Sequence, residues 1–198
     1  MWVPTHWMNG INRNMFTLTI SSSNGPIDKS VIRDFEKVIN KKFPDLYVEF
    51  VSSNDGAAPI TSVFSYCKLG INEKQEDAFV FLAFDVNASD TMDYGLSLFK
   101  NFWCIDGLIP FGTTGGGDYL CFDYRAEPNS IDPPIVVVIH DDFTDNDERL
   151  ICHVAPNFEY LIRHLERDRT DKEMDELYEI CKQRGMALPY EYHFPIDK

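Results

Sequence analysis

Several stretches of the chain carry the apolar patterns of β-strands. Residues 16–20, 119–124 and 150–154 alternate apolar and polar side chains, which is typical of a strand with one buried face. Residues 79–84 and 135–139 are continuously apolar, and this pattern predicts strands that are covered on both faces. Parallel pairs need long crossovers, whereas the connections between the later strands are short. The pattern therefore predicts a mainly antiparallel sheet.

Helical spacing predicts two helices before the central strands. Residues 31–39 place their apolar side chains at helical intervals, and Asp28 is a suitable N-cap, so the first helix begins there and ends near Lys42. Pro44 suits the first position of a second helix. Residues 54–56 are an Asn-Asp-Gly sequence, which tolerates the backbone conformations that end a helix.

Two further helices are predicted near the C-terminus. Residues 158–165 place apolar side chains on one helical face, and Thr170 with Glu173 fits a capping box that begins a second helix ending at Gly185. Helices at both ends of the chain with strands between them are typical of the α+β class. We predict a single domain over residues 1–198, in which N-terminal and C-terminal helices flank the sheet.

The charge of the chain limits the kinds of partner it can bind. It has 32 acidic and 18 basic side chains, which give a formal net charge of -14. Nucleic acids and anionic membranes draw most of their affinity from basic protein surfaces, so both are disfavoured as partners. A basic protein would instead be attracted by this charge. The acidity is also compatible with a role in solubility alone.

The cysteines and the apolar runs indicate a compartment. The five cysteines are an odd number without the spacing of a disulfide framework, which favours free thiols in a reducing environment. No basic segment precedes an apolar core at the N-terminus, as it would in a secretory signal. The longest apolar run, residues 78–84, is far shorter than the roughly 20 residues of a membrane-spanning helix. We therefore expect a soluble cytoplasmic protein.

A glycine-rich motif lies between two of the predicted strands. It consists of Gly112, Gly115, Gly116, Gly117 and Asp118. A phosphate-binding loop would need a lysine followed by serine or threonine and would lead into a helix, whereas this motif has no lysine and leads into an alternating strand. Because glycine adopts positive φ values without strain, we predict a structural turn at this position.

The histidines and cysteines do not form a recognisable catalytic or metal-binding pattern. The Cys-x-x-Cys spacing of zinc sites is absent, and the adjacent Cys152 and His153 would point to opposite faces of a strand. We therefore expect no catalytic residue, no metal and no cofactor. An enzyme would require Cys121, His140 or Cys104 to converge with an acid in a pocket.

An acidic segment between the last two predicted strands has two interpretations. It has five carboxylates in residues 141–148 and lacks the ligand pattern of a calcium-binding loop. It is either a hairpin loop facing water or a contact patch for a basic partner, with one phenylalanine as an apolar anchor. The candidate partner-binding residues are Asp141, Asp142, Phe143, Asp145, Asp147 and Glu148.

Several short motifs occur in a recognisable order along the chain. They are residues 32–36, Phe43-Pro44, Asn54-Asp55-Gly56, 109–112, 117–123, 154–155 and 158–161. This order resembles the SUKH superfamily, which includes Smi/Knr-type regulators of fungal cell-wall synthesis and many bacterial immunity proteins. The resemblance covers residues 27–167. It leaves residues 1–26 as an N-terminal extension with a short strand and residues 168–198 as a C-terminal helix and tail.

Two positions depart from the pattern of the superfamily. Its members often have two glycines after the asparagine, where this chain has Asp55-Gly56, and often a serine where this chain has Asn157. The resemblance implies an α+β domain that binds proteins and has no established catalytic residues. We therefore expect an immunity protein that neutralises a polymorphic or contact-delivered toxin, for example a nuclease. The alternative is a regulatory adaptor of the Smi/Knr type that binds an endogenous protein.

Overall fold

The structure, a computed structural model, describes residues 16–68, 74–144, 146, 148–167 and 169–194. The strands of this part of the chain are β1 (Thr17–Ser22), β2 (Ala58–Pro59), β3 (Thr61–Cys67), β4 (Lys74–Phe81), β5 (Leu108–Thr114), β6 (Tyr119–Asp123), β7 (Ile135–Phe143), β8 (Arg149–Ala155), β9 (Glu166–Arg167) and β10 (Tyr190–His193). The helices are α1 (Lys29–Ile39), α2 (Asp45–Ser53), α3 (Met92–Leu98), α4 (Phe158–Arg163) and α5 (Asp171–Arg184).

A seven-stranded sheet forms the centre of the fold. Its order is β8-β7-β6-β5-β4-β3-β9, and all neighbouring strands are antiparallel. The α+β class and the mainly antiparallel sheet predicted from the sequence are confirmed. The apolar run at residues 79–84 contributes the end of β4 only as far as Phe81, although Leu82, Ala83 and Phe84 remain buried.

Aromatic rings join the helices to the sheet. Tyr47 of α2 is fully buried, and its ring centre lies 5.9 Å from Phe111 of β5, 5.1 Å from Phe122 of β6 and 5.3 Å from Phe158 of α4. Aromatic pairs at such distances add to the stabilisation from burial. This cluster fixes α2 and α4 against the strands that carry the glycine motif.

The first helix begins as predicted, but the face that it buries is narrower than the apolar face predicted from the sequence. The Asp28 carboxylate accepts a hydrogen bond from the backbone N–H of Ser30 at 2.8 Å, which is the expected N-cap interaction. Ile32, Phe35 and Ile39 are buried, whereas Val31 and Val38 are exposed. The helix ends at Ile39 rather than near Lys42 because Asn40 adopts a left-handed conformation with φ of 52°.

The N-terminal extension and the C-terminal tail are joined in a second sheet of order β10-β1-β2. Phe194 stacks on Phe16 with ring centres 4.3 Å apart and on Phe50 of α2 with ring centres 5.5 Å apart. The two segments outside the predicted SUKH-like core therefore pair with each other and pack on that core. Within the described ranges, no helix combines the length and apolarity of a membrane span.

Candidate protein-binding site

The acidic segment lies at the end of the hairpin formed by β7 and β8. β7 continues to Phe143, which pairs with Arg149 at the start of β8. The prediction that residues 141–148 form a loop is therefore wrong for Asp141, Asp142 and Phe143, which belong to the strand. The reason is that pairing with β8 extends the strand beyond its apolar part. Of the other candidate contact residues, Glu148 is exposed, while Asp145 and Asp147 lie outside the described residues.

The carboxylates of the hairpin differ in their surroundings. Asp142 pairs with Lys68, with 3.0 Å between Oδ2 and Nζ, and this hydrogen bond lowers the pKa of Asp142. The side chain of Asp141 is 74% exposed. Glu148 is also exposed, and its carboxylate has no partner among the residues that the structure describes. Among the described hairpin acids, Asp141 and Glu148 are therefore the most open to an incoming basic protein.

The guanidinium of Arg149 lies between two aromatic rings beside this hairpin. Its central carbon is 4.1 Å from the ring centre of Trp103 and 5.0 Å from that of Phe143, distances at which a cation is attracted to a ring face. Its Nη1 atom is buried and has no hydrogen-bond acceptor in the described part of the chain. Among the residues that the structure describes, Arg149 is thus held by stacking rather than by a carboxylate.

A surface cleft lies next to Arg149. An irregular helical segment forms one wall of this cleft. α3 continues into a π-helical turn over Phe99–Trp103, and Cys104 ends this turn in a left-handed conformation with φ of 53°. Phe99 is buried and packs on Trp103, with ring centres 4.8 Å apart, whereas Phe102 is 77% exposed. The cleft has a volume of about 510 Å³ and is lined by both aromatic and charged side chains. Isolated π-helical turns are frequent at functional sites.

Gly115, Gly116 and Gly117 of the glycine motif lie in the turn between β5 and β6, whereas Gly112 lies within β5. The backbone N–H of Thr114 donates to the carbonyl of Asp118 at 2.9 Å, and Gly117 adopts a φ of 92°. The side chain of Asp118 points back onto the sheet. Its Oδ1 accepts hydrogen bonds from the backbone N–H of His140 at 2.9 Å and from His140 Nδ1 at 3.1 Å. The motif thus ties the β5–β6 turn to β7.

One group of side chains has the donor atoms of a metal site. Ligand atoms of Asp118, His140 and Asp141 all lie within 4.8 Å of one another. His140 and Asp141 converge although they are consecutive, because the register of β7 against β8 shifts between Val138 and Phe143. The Asp118 oxygen is already occupied by His140, so a cation would have to displace that hydrogen bond. The geometry favours a structural role for the group.

A comparison with protein families identifies the scaffold. The model of the SMI1 / KNR4 family (SUKH-1) matches residues 26–164, which is more than half of the chain. The chain belongs to this family. A search of curated proteins found no match. The SUKH match includes the glycine motif, the π-helical turn and the β7–β8 hairpin, whereas β1, α5 and β10 lie outside it.

Among the described residues of this SUKH protein, His140 contacts the acids Asp118 and Asp141, whereas Cys121 and Cys104 lie apart from it. Cys121 is fully buried in β6, and burial raises the pKa of its thiol well above the ordinary value. It pairs in register with Val136, about 13 Å along β7 from His140 at the usual rise per residue. Cys104 is exposed on the π-helical turn. These positions do not bring the three side chains together.

The candidate surface consists of the β7–β8 hairpin and the cleft beside it. Its acidic residues were predicted from the sequence, whereas most of its aromatic residues were not. Phe143 was expected as an anchor, but Phe102, Trp103 and Arg149 were not selected as site residues. The available signal was an adjacent Phe-Trp pair at positions 102 and 103, close to charged residues. Only the paired β7 and β8 bring Phe143 and Arg149 to this pair.

Proposed function

We propose that this SUKH-family protein is an immunity protein that binds a bacterial toxin and blocks it by protein contact. The observation that carries the proposal is the family match, because the resemblance implies protein binding and includes many immunity proteins. In this proposal the protein acts in the cytoplasm and performs no reaction. The β7–β8 hairpin and the adjoining aromatic cleft would form the contact surface.

The charge of the protein supports a basic partner. A nuclease presents cations to the phosphates of its substrate, and an acidic protein can occupy the same surface. The formal net charge of -14 would speed the approach of such a partner at low ionic strength. Asp141 and Glu148 would extend this attraction to the hairpin, since both side chains are exposed. A nuclease domain is therefore the toxin class that we favour.

Co-expression with the candidate toxin tests the proposal directly. A toxin gene adjacent to the coding sequence, where there is one, supplies the candidate, which is expressed from an inducible promoter in cells with or without this protein. We expect growth to be restored only when the protein is present, and the purified proteins to form a complex. Absence of both protection and complex formation would contradict the immunity function.

A regulatory adaptor of the Smi/Knr type is the second candidate function. The observation that favours it is that the matching family model carries the SMI1 / KNR4 description. This function predicts no toxin gene beside the coding sequence and a stable complex with an endogenous protein of the same cell. Deletion of the gene would then alter the growth of cells that have never met a toxin.

A further inference from the structure

We propose that the cleft between the π-helical turn and the β7–β8 hairpin receives an apolar side chain from a basic segment of the partner protein. The proposal rests on the proposed function in so far as both require a protein partner. It adds which face of the chain makes the contact and what chemistry the partner must present there.

Two aromatic side chains that line the cleft are exposed to solvent instead of being packed in the core. Phe102 is 77% exposed and Phe143 is 49% exposed, and both line the cleft beside Trp103. Aromatic residues and arginine are enriched in the few positions that carry most of the binding energy of protein interfaces. The cleft concentrates these residue types. It is therefore suited to an apolar or aromatic anchor.

Arg149 places a hydrogen-bond donor at the base of the cleft, and a bound segment would have to supply the acceptor. Its guanidinium is fixed between Trp103 and Phe143, and its buried Nη1 lacks an acceptor among the described residues. A buried donor without an acceptor is costly, and a small rotation toward a bound segment would satisfy it. A backbone carbonyl next to the anchor residue is the acceptor that a protein segment always provides.

The charges around the cleft favour basic residues beside the anchor. Asp106 and Glu148 line the cleft and are exposed, and neither carboxylate pairs with a residue of the described ranges. Arg125 also lines the cleft, but both oxygens of Asp123 hold it at 2.9 and 2.7 Å. Apart from the stacked Arg149, the unpaired charges among the described lining residues are therefore acidic. Lysine or arginine beside the anchor would be attracted, and acidic neighbours would be repelled.

The two exposed cysteines allow occupation of the cleft to be measured. Cys104 is exposed and lines the cleft, while Cys67 is also exposed and lies at the end of β3, outside the cleft. The probe is a short peptide, acetylated and amidated, with one phenylalanine between lysines. Alkylation of each thiol by iodoacetamide is followed by mass spectrometry on the full chain. We expect the peptide to slow alkylation of Cys104 severalfold and to leave that of Cys67 unchanged.

Three control peptides make the result specific. One replaces the phenylalanine with alanine, one replaces the lysines with glutamates, and one keeps the lysines and phenylalanine but ends in a free carboxylate directly after the phenylalanine. Equal protection by the alanine or glutamate peptide would overturn the proposal, as would equal slowing at Cys67. Protection by the free-carboxylate peptide alone would also overturn it, because the cleft would then bind chain ends rather than an internal segment.

Variants of the protein separate this proposal from the immunity function. Phe102→Ala and Phe143→Ala should each weaken binding of the probe and of the neighbouring toxin roughly tenfold. Val38→Ala and Ile131→Ala are matched controls, since both side chains are 73% exposed and lie away from the cleft. Toxin binding that is unchanged in the cleft variants would overturn the cleft and leave the immunity function. A cleft that binds the probe in a protein that neutralises no toxin would overturn only the immunity function.

Discussion

The carboxylate of Asp55 accepts a hydrogen bond from the backbone N–H of Phe84 at 2.7 Å, and a second from that of Asp85 at 3.0 Å. Asp55 is fully buried, and these bonds join the end of α2 to the segment after β4. Gly56 follows with a φ of 58°. The Asn-Asp-Gly motif at residues 54–56 is one of the motifs shared with the SUKH superfamily. Its role here is structural, because it connects α2 to the segment after β4.

Removal of this carboxylate should destabilise the fold. Asp55→Ala would leave the buried backbone N–H of Phe84 and the partly buried N–H of Asp85 without acceptors, and we expect a loss of roughly 2 to 3 kcal/mol in the free energy of unfolding. The measurement is urea denaturation followed by circular dichroism. Glu127→Ala is the control, because Glu127 is exposed and its side chain has no partner among the described residues. Equal stability of the two variants would contradict the structural role of Asp55.

Glu36 should make the stability of the protein depend on pH in a defined direction. Its side chain is fully buried, which alone would raise the pKa. Hydrogen bonds from Lys42, Arg33 and the backbone N–H of Phe43 outweigh burial and lower the pKa below its usual 4.5. A carboxyl with a lowered folded-state pKa stabilises the fold above its unfolded pKa, and this contribution is lost as the pH falls through the folded value.

Glu36→Gln is therefore expected to cost about 1 to 2 kcal/mol at pH 7, a modest value because water partly screens the exposed Arg33 and Lys42. The stability difference between this variant and the wild type should shrink below pH 4.5. Urea denaturation at several pH values between 7 and 3 provides the measurement. Glu179→Gln on α5, where the ion pair with Lys182 is exposed, should show almost no difference at any pH. A constant cost for Glu36→Gln across this range would contradict the assignment.

Local sequence patterns predicted the elements that depend on nearby residues. The capping box at Thr170 is present, with the backbone N–H of Thr170 donating to Glu173 at 2.7 Å, and Gly185 ends α5 with a φ of 64°. Both partners of a cap lie within one helical turn, so the sequence contains the whole interaction. In α1 the same spacing rule included Val31 and Val38, which are exposed because the helix packs along a narrower stripe.

Contacts between distant residues could not be predicted in the same way. β1 pairs with β10, which joins Thr17 to His193 across almost the entire chain. Neither strand has a pattern that specifies the other. The cleft depends likewise on Arg149 reaching Trp103, and on a π-helical turn that has no distinctive sequence pattern. The acidic charge of the hairpin could be seen in the sequence. The aromatic residues that neighbour it could be identified only from the three-dimensional structure.

The glycines of the β5–β6 motif should differ in their tolerance of alanine. A Cβ atom at Gly112 would lie 2.7 Å from Phe79 Cδ2 and 3.2 Å from the carbonyl oxygen of Val80. Overpacking of this kind costs roughly 1 to 3 kcal/mol. Gly117 has space for a Cβ atom but a φ of 92°, so Gly117→Ala should cost about 1 to 2 kcal/mol through backbone strain.

Gly115 provides the matched control within the same turn. Its Cβ position is open and its φ lies outside the left-handed range, so Gly115→Ala should leave the stability unchanged or raise it slightly. Thermal unfolding of the three variants gives the order directly. A phosphate-binding role would predict a different pattern, in which stability is preserved and a ligand is lost. Equal unfolding temperatures for Gly112→Ala and Gly115→Ala would contradict the close packing of Gly112 against β4.

The exposed acids of the hairpin should act on the rate of association if the hairpin faces a basic toxin. The double variant Asp141→Asn with Glu148→Gln removes two exposed charges of the hairpin. The control, Glu127→Gln with Asp175→Asn, removes two exposed charges elsewhere, so both proteins have the same net charge. Charges at the contact surface steer a partner more strongly than distant ones, because salt screens interactions beyond roughly 10 Å.

We therefore expect the hairpin variant to associate with the neighbouring toxin severalfold more slowly at low salt, with a weaker dependence of the rate on salt concentration. Dissociation should change little, since rim charges act mainly on the approach, whereas loss of Phe143 should act mainly on dissociation. Stopped-flow or surface-based kinetics at two salt concentrations distinguishes the two effects. If the hairpin and control variants associate at the same rate, the toxin does not approach through this hairpin, and the contact surface must lie on another face of the protein.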